Sequence, residues 1–231
     1  MRSVLFVLLA PVMTGALLSP ANLVARKNPL TGGVEKATVG GNVAPDGTEL
    51  QIDLPGDLHL KNVGGSDGAG LCVFTSISHS ARWQSVKVLE DFQTWMKKHP
   101  GGGYPAKVKK MISQVCKERN TPEPDYIQVE GKDLEILKLA CKTGRMPGVT
   151  YGRSPSGRYN GGRISHMVSL VHADDRNFCV LDNNFPGADK YEWMTPAEFS
   201  ATYTLGGGGW AVILLSPGAP PAPRPLLKEG E

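Results

Sequence analysis

The stretch Gly64-Gly65-Ser66-Asp67-Gly68-Ala69-Gly70-Leu71-Cys72-Val73-Phe74-Thr75-Ser76 runs a glycine-rich loop straight into an amphipathic segment that begins with a cysteine. It reads as a nucleophile at the start of a helix. The first turn of a helix leaves backbone N–H groups unpaired and carries the positive end of the macrodipole, which biases a thiol there towards its thiolate. Glycines just before it let the main chain approach a substrate closely. The other reading of Cys72 is a small apolar residue buried under a turn, the commoner fate of a lone cysteine. Taken alone, the stretch leaves both open.

Downstream, Phe74, Ile77 and Ala81 keep helical spacing, and Val88, Phe92, Trp95 and Met96 form a second helical run stopped by Lys97-Lys98-His99-Pro100-Gly101. Pro105 suits the first turn of a third helix carrying Val108, Met111, Ile112 and Val115. A fourth, from Asp133 to Thr143, ends at Gly144. Tyr126 to Val129, Gly148 to Tyr151, Ile164 to His172, Phe178 to Asp182 and Trp210 to Leu215 read as strands, and Thr195-Pro196-Ala197-Glu198 is a capping box for a short helix around Phe199. Upstream, Leu50 to Leu54 alternates apolar and polar as a strand does. Helices first and strands after predict an α+β domain.

The ends have a different composition. Met1-Arg2-Ser3 followed by Val4 to Ala10 and then small residues reads as a secretory signal over residues 1–21, cleaved after Ala16 or Ala21. Residues 22–47, rich in Gly, Asn, Thr and Pro, read as an extended or poorly ordered lead-in, residues 48–215 as one domain, and the Pro-rich residues 216–231 as a disordered tail. The chain of 231 residues carries a net charge of +3 with no block of like charge, which argues against nucleic acid or an anionic membrane as a main partner. The apolar run of the signal is too short for a membrane span. The expected location is secreted or periplasmic, in solution or against the cell envelope, with the oligomeric state open.

An oxidising compartment lets the 4 cysteines form one or two disulfides. With Cys72 kept free, Cys116 and Cys141 are the expected pair and Cys179 a buried thiol. The scattered Cys and His residues give no metal-ligand spacing, so neither a metal nor another cofactor is expected.

A thiolate nucleophile needs a base to hold its proton and a third group to orient that base. His166 opens the strand Ile164 to His172, and a loop at Asp174-Asp175-Arg176 folds the chain back onto Phe178 to Asn184. A loop centred on Asp175 pairs Val168 with Asp182 and leaves Asp182 diagonal to His166, whereas a register shifted by one brings in Asn183. Cys72 at a helix start with His166 and Asp182 or Asn183 on a later hairpin is much less expected by chance than any one of them. His79 lies two turns beyond Cys72, and Ser78-His79-Ser80 reads as a solvent-side patch. The segment from Tyr151 to Arg163 reads as a cleft-lining loop or a mobile solvated one, its Arg153, Arg158 and Arg163 suited to acidic substrates.

These residues resemble the papain-like cysteine peptidase superfamily. The run from His166-Met167-Val168 to Val180-Leu181-Asp182, with Trp193-Met194-Thr195-Pro196-Ala197-Glu198-Phe199 and Trp210-Ala211-Val212, is similar to the double-glycine-leader peptidases and their secreted bacterial relatives. The resemblance covers roughly residues 50–215. It implies a helical subdomain carrying the Cys72 helix, packed on an antiparallel β-sheet subdomain with the cleft between, and hydrolysis of peptide or amide bonds in a peptide or protein substrate. One feature departs from the family. Lys61-Asn62-Val63-Gly64 resembles the Lys-Asn-Gln-Gly approach of plant-type members, but Val63 stands where their oxyanion-binding glutamine does, and no glutamine lies between Ile52 and Cys72. Asn62, Ser66, Asp67, Gly70 and the backbone N–H of Cys72 are the candidates for binding oxyanion or substrate. Two other outcomes fit the same resemblance: a papain-like binding module with weak or no catalysis, and a transglutaminase-type or cell-wall amidase acyl transfer.

Overall fold

The computed structural model describes residues 32–187 and 189–216. In chain order these form β1 (Thr38–Gly40), α1 (Cys72–Trp83), α2 (Phe92–Met96), α3 (Pro105–Glu118), β2 (Tyr126–Gly131), α4 (Glu135–Lys142), β3 (Gly148–Tyr151), β4 (His166–Ala173), β5 (Phe178–Leu181), β6 (Tyr191–Met194), α5 (Pro196–Tyr203) and β7 (Gly209–Leu214). The seven strands make one sheet in the order β1-β6-β5-β4-β3-β7-β2, every neighbouring pair antiparallel. The expected signal and the Pro-rich tail beyond residue 216 lie outside the described residues.

Side chains alternate across the sheet and so build two cores. On one face Met167, Trp210, Val212 and Leu214 pack with Phe74, Ile77, Phe92, Val108 and Ile112 of α1 to α3. On the other, Val149, Val168, Leu170, Ala211 and Ile213 pack with Leu137 and Ala140 of α4 and with Phe199 and Tyr203 of α5. Cys116 belongs to the first core and Cys141 to the second, so the sheet stands between them. The expected Cys116–Cys141 disulfide is therefore absent, and all four cysteines are free thiols.

Helix α1 is buried along its whole middle, from Val73 to Ala81. Its small hydroxyl residues make this possible, because they bond to main chain instead of needing water. Thr75 Oγ1 donates to the Leu71 carbonyl, Ser76 Oγ to that of Met167, and Ser78 Oγ accepts from the Gln93 N–H. The solvent-side patch expected at Ser78-His79-Ser80 is thus inside the protein. His79 Nε2 accepts the Leu60 N–H at 2.8 Å and its Nδ1 meets Ser169 Oγ at 3.2 Å, which puts the ring proton on Nδ1. Burial lowers its pKa to about 3, so His79 is a neutral clamp between helix and sheet.

Three other segments differ from the sequence expectation. From Gly32 the lead-in is part of the fold: the Val34 N–H donates to Asn177 Oδ1, and β1 pairs with β6 as an edge strand. Residues 50–54 do alternate, with Ile52 and Leu54 fully buried, but they join no sheet. Instead the Ile52 N–H donates to the Val171 carbonyl and Gln51 Oε1 accepts the Ala173 N–H, holding the chain across a bulge in β4. Strand β6 is not among the expected strands; it carries Glu192, whose buried carboxylate is satisfied by Tyr151, Ser154 and the Ser156 N–H. At α5 the capping box is formed, Thr195 accepting from the Glu198 N–H.

The β4–β5 hairpin sets the alignment that matters for the site. Its loop has four residues, 174–177, closed by Asp174 Oδ1, which accepts the N–H groups of Arg176 and Asn177 at 2.7 Å each. Next to the loop the pairs are Ala173 with Phe178 and His172 with Cys179; past the bulge they become Leu170 with Val180 and Ser169 with Leu181. The extra residue in β4 offsets the extra residue in the loop. Continued by one position, this register sets Val168 opposite Asp182, as for a loop centred on Asp175.

Candidate active site

Cys72 is the first residue of α1, and its N-cap Leu71 has no side-chain acceptor for the N–H groups of the first turn. The loop before it closes into a tight ring. Gly64 bridges to Gly70, the Leu71 N–H donates to Val63 O, and the Gly65 N–H to Ala69 O. That ring is pinned to residues 99–103: Ser66 N–H donates to His99 O, and Asp67 Oδ1 accepts the N–H groups of Gly101 and Ala69. A Cβ on Gly101 would lie 1.9 Å from Ala69 O, and one on Gly103 would lie 2.5 Å from Val73, so glycine is required for this contact.

His166 opens β4 and Asp182 follows β5, and the register described above brings them together with Asp182 Oδ1 2.9 Å from His166 Nε2. With Nε2 held by the carboxylate, Nδ1 is the nitrogen left for Cys72, which lines the same cleft. Burial alone pushes the Cys72 thiol up. The His166 hydrogen bond and charge, with the N–H groups of Met167 and Val73, outweigh it and hold the thiol below its ordinary value. Burial likewise disfavours the imidazolium, but the bonds to Asp182 and Cys72 raise the His166 pKa to about 9. Asp182 is fully buried, which pushes its carboxyl up, yet His166 and the Asn184 N–H hold it below the ordinary value.

Asp182 is held from three sides. The Asn184 N–H donates to Oδ1 at 2.9 Å and Tyr159 OH to Oδ2 at 2.8 Å, while the Arg158 guanidinium, its side chain only 9% exposed, lies 3.9 Å from Oδ2. Tyr159 sits edge-on to His166, ring centroids 6.0 Å apart, and adopts φ 59° in the left-handed region. A non-glycine residue there is strained, by about 1–3 kcal/mol. Its contacts with Asp182, Asn184 and Phe185 offset that strain. The segment from Tyr151 to Arg163 is accordingly a packed strap over the His166–Asp182 pair. Nothing in the sequence singles out Tyr159; its one local signal, Asn160-Gly161, marks only a turn.

The cleft has a volume of about 430 Å³ and is lined by Asn62, Gly70, Cys72, Tyr159, His166 and Asn184, among others. Asn62 Nδ2 donates to Asn184 Oδ1 at 3.0 Å and Asn184 Nδ2 to Tyr159 OH at 2.9 Å, so a continuous network runs from Asn62 through Asn184, Tyr159 and Asp182 to His166. Gly70 is pressed against this amide: a Cβ there would lie 3.3 Å from Asn62 Nδ2. Val63 packs partly buried against the core of α1 to α3, whereas the amides of Asn62 and Asn184 line the cleft with Cys72.

Of the residues singled out from sequence, the structure gathers Cys72, His166, Asn62 and Gly70 at one cleft, with Asp182 buried behind His166. Asn183 does not face the imidazole. Its Nδ2 donates to the carbonyls of Cys72 and Met167 and to Ser76 Oγ, tying the helix start to the sheet, because adjacent residues of an extended chain point to opposite sides. Ser66 and Asp67 lie away from the cleft and brace the glycine ring. Among the described residues no group of three or more His, Cys, Asp and Glu side chains could hold a metal ion, and no helix is long and apolar enough to cross a membrane. Compared with known proteins, the chain matches no family model and no curated protein.

Proposed function

We propose that this protein is an exported, papain-like cysteine hydrolase that cleaves peptide or amide bonds. The observation that carries the reading is a thiol at a helix start sharing one open cleft with an imidazole whose Nε2 is held by a buried carboxylate. Helices packed against one face of an antiparallel sheet agree with a papain-like arrangement, and residues 1–21 supply the export signal.

In this reading the Cys72 thiolate attacks the scissile carbonyl carbon. The oxyanion is met by the Cys72 N–H and by Asn62 Nδ2, whose second hydrogen is not used by Asn184. The His166 imidazolium gives its Nδ1 proton to the leaving amine as the C–N bond breaks, leaving a thioester on Cys72. His166, now neutral, takes a proton from water, whose oxygen attacks the thioester; the acid leaves and Cys72 returns as thiolate. Asp182 keeps Nε2–H fixed throughout.

A binding module without catalysis is the second reading, and the observation on its side is Asn62: a short amide shared with Asn184 replaces a glutamine. The pH dependence of Cys72 alkylation by iodoacetamide, in the wild type and in His166→Ala, tests between them. A fast reaction well below the ordinary thiol pKa of about 8.5, lost in the variant, supports the hydrolase. Wild-type Cys72 titrating as an ordinary thiol would leave the binding module. Acyl transfer is separated from hydrolysis by products formed with added amines or muropeptides.

A further inference from the structure

A second cleft of about 270 Å³ opens beside the first and shares Thr150, Ile164, Ser165 and His166 with it. Its far wall is the turn Leu205 to Gly208, facing Arg163 at the base of the strap. Among the described residues no Asp or Glu lines either cleft, and apart from His166 the one basic side chain on their walls is Arg163. That side chain is exposed, and among the described residues it makes no hydrogen bond or ion pair. The glycine turn keeps the space before it open. Gly206, Gly207 and Gly208 have φ of 133°, 113° and 148°, which residues with a Cβ rarely adopt, and a Cβ on Gly206 would sit 3.5 Å from Arg163 Nη2. A guanidinium fork matches a carboxylate in two parallel hydrogen bonds, and an unpaired cation in a cleft without acids attracts an anion.

We infer that this second cleft is a subsite for a carboxylate-bearing side chain of the substrate, held by Arg163 while Cys72 attacks a neighbouring bond. Its role in a reaction rests on the hydrolase reading above; its affinity for a carboxylate does not.

The test uses iodoacetyl peptides, amidated at the C-terminus, that carry glutamate or glutamine one, two or three residues from the reactive carbon. Rates of Cys72 alkylation are compared at pH 10, where even an unperturbed thiol is ionised. The expected result is a glutamate preference of about fivefold at one spacing in low salt, fading near 1 M salt, lost in Arg163→Gln and inverted in Arg163→Glu. Arg163 is exposed and makes no hydrogen bond or ion pair among the described residues, so these variants keep the structure. In parallel, the corresponding N-acetyl peptides are titrated into Cys72→Ala protein while the Arg163 Nε–H resonance is followed by NMR, which needs no reactive thiol. A shift with the glutamate peptide alone supports the subsite. Equal rates at every spacing, a preference that survives Arg163→Gln, or no shift would overturn it, whatever the pH profile of Cys72 says about catalysis.

Discussion

The His166 charge pulls the Cys72 thiol down and the thiolate pulls the imidazole up, and that gives the pair a working window. The thiol is held below its ordinary value and the imidazole is raised to about 9, so between the two the thiolate and the imidazolium coexist. Below the window the thiol is protonated and does not attack; above about 9 the imidazole has no proton for the leaving amine. Hydrolysis of a cleavable peptide should follow a bell whose upper limb falls near pH 9. Replacing Asp182 by Asn removes the charge that raises His166, so the upper limb moves down, the Cys72 limb moves up, and the rate at the optimum drops by about a hundredfold or more. Steady-state rates of both proteins over the pH range check this; an unchanged upper limb in Asp182→Asn would detach Asp182 from the imidazole. The meeting of Cys72, His166 and Asp182 was legible in the sequence because helix-start and hairpin patterns both have fixed geometry. Tyr159 was not, since a strained residue in a loop has no period to announce it.

Asp182 reaches His166 because a hairpin loop and a bulge carry one extra residue each. Asp174 holds the loop: it accepts two main-chain N–H groups and faces His172 Nε2 at 3.2 Å. Burial pushes its carboxyl up, but these partners outweigh that and lower its pKa to about 2, below the ordinary carboxylate value. A folded-state pKa below the unfolded one means stability that is fully present above the ordinary value and lost as the pH falls towards 2. Asp174→Ala should therefore cost about 1–2 kcal/mol at pH 7, discounted for its partial exposure, and clearly less at pH 2. Urea unfolding at the two pH values reads the difference. Cys72 should keep its reactivity in this variant, because β5 is also registered by its four pairs with β6. The sequence carried the turn residues Asp174 to Arg176 but not the bulge, whose cause is distant: the Val171 carbonyl is taken by the Ile52 N–H, a contact between segments 119 positions apart (171 − 52). The same distance effect turned the alternating residues 50–54 from an expected strand into a brace.

At the scale of the molecule, one sheet with a core on each face explains both what the sequence disclosed and what it hid. Helix periods in α1, α3 and α4 were legible, since each has an apolar stripe, but a stripe does not say which face of the sheet it covers. Without that choice, the spacing of Cys116 and Cys141 allows a pairing that the sheet forbids. The chain crosses the sheet between α3 and α4, leaving Cys116 with Val115 in one core and Cys141 with Ala140 in the other. Burial raises both thiols, and Cys179 as well, so all three are protonated and shielded, whereas Cys72 at the cleft is not. The sheet separates Cys116 from Cys141 and Cys179, which share the second core, and since a disulfide needs Cα atoms within about 7 Å it prevents a bridge from Cys116 to either. Thiol titration without reductant should count one reactive group in the native protein, Cys72, and four after unfolding in guanidinium; reductant should leave the melting temperature unchanged. A count of two after unfolding would mean that a bridge forms, and the free state of all four thiols would have to be wrong with it.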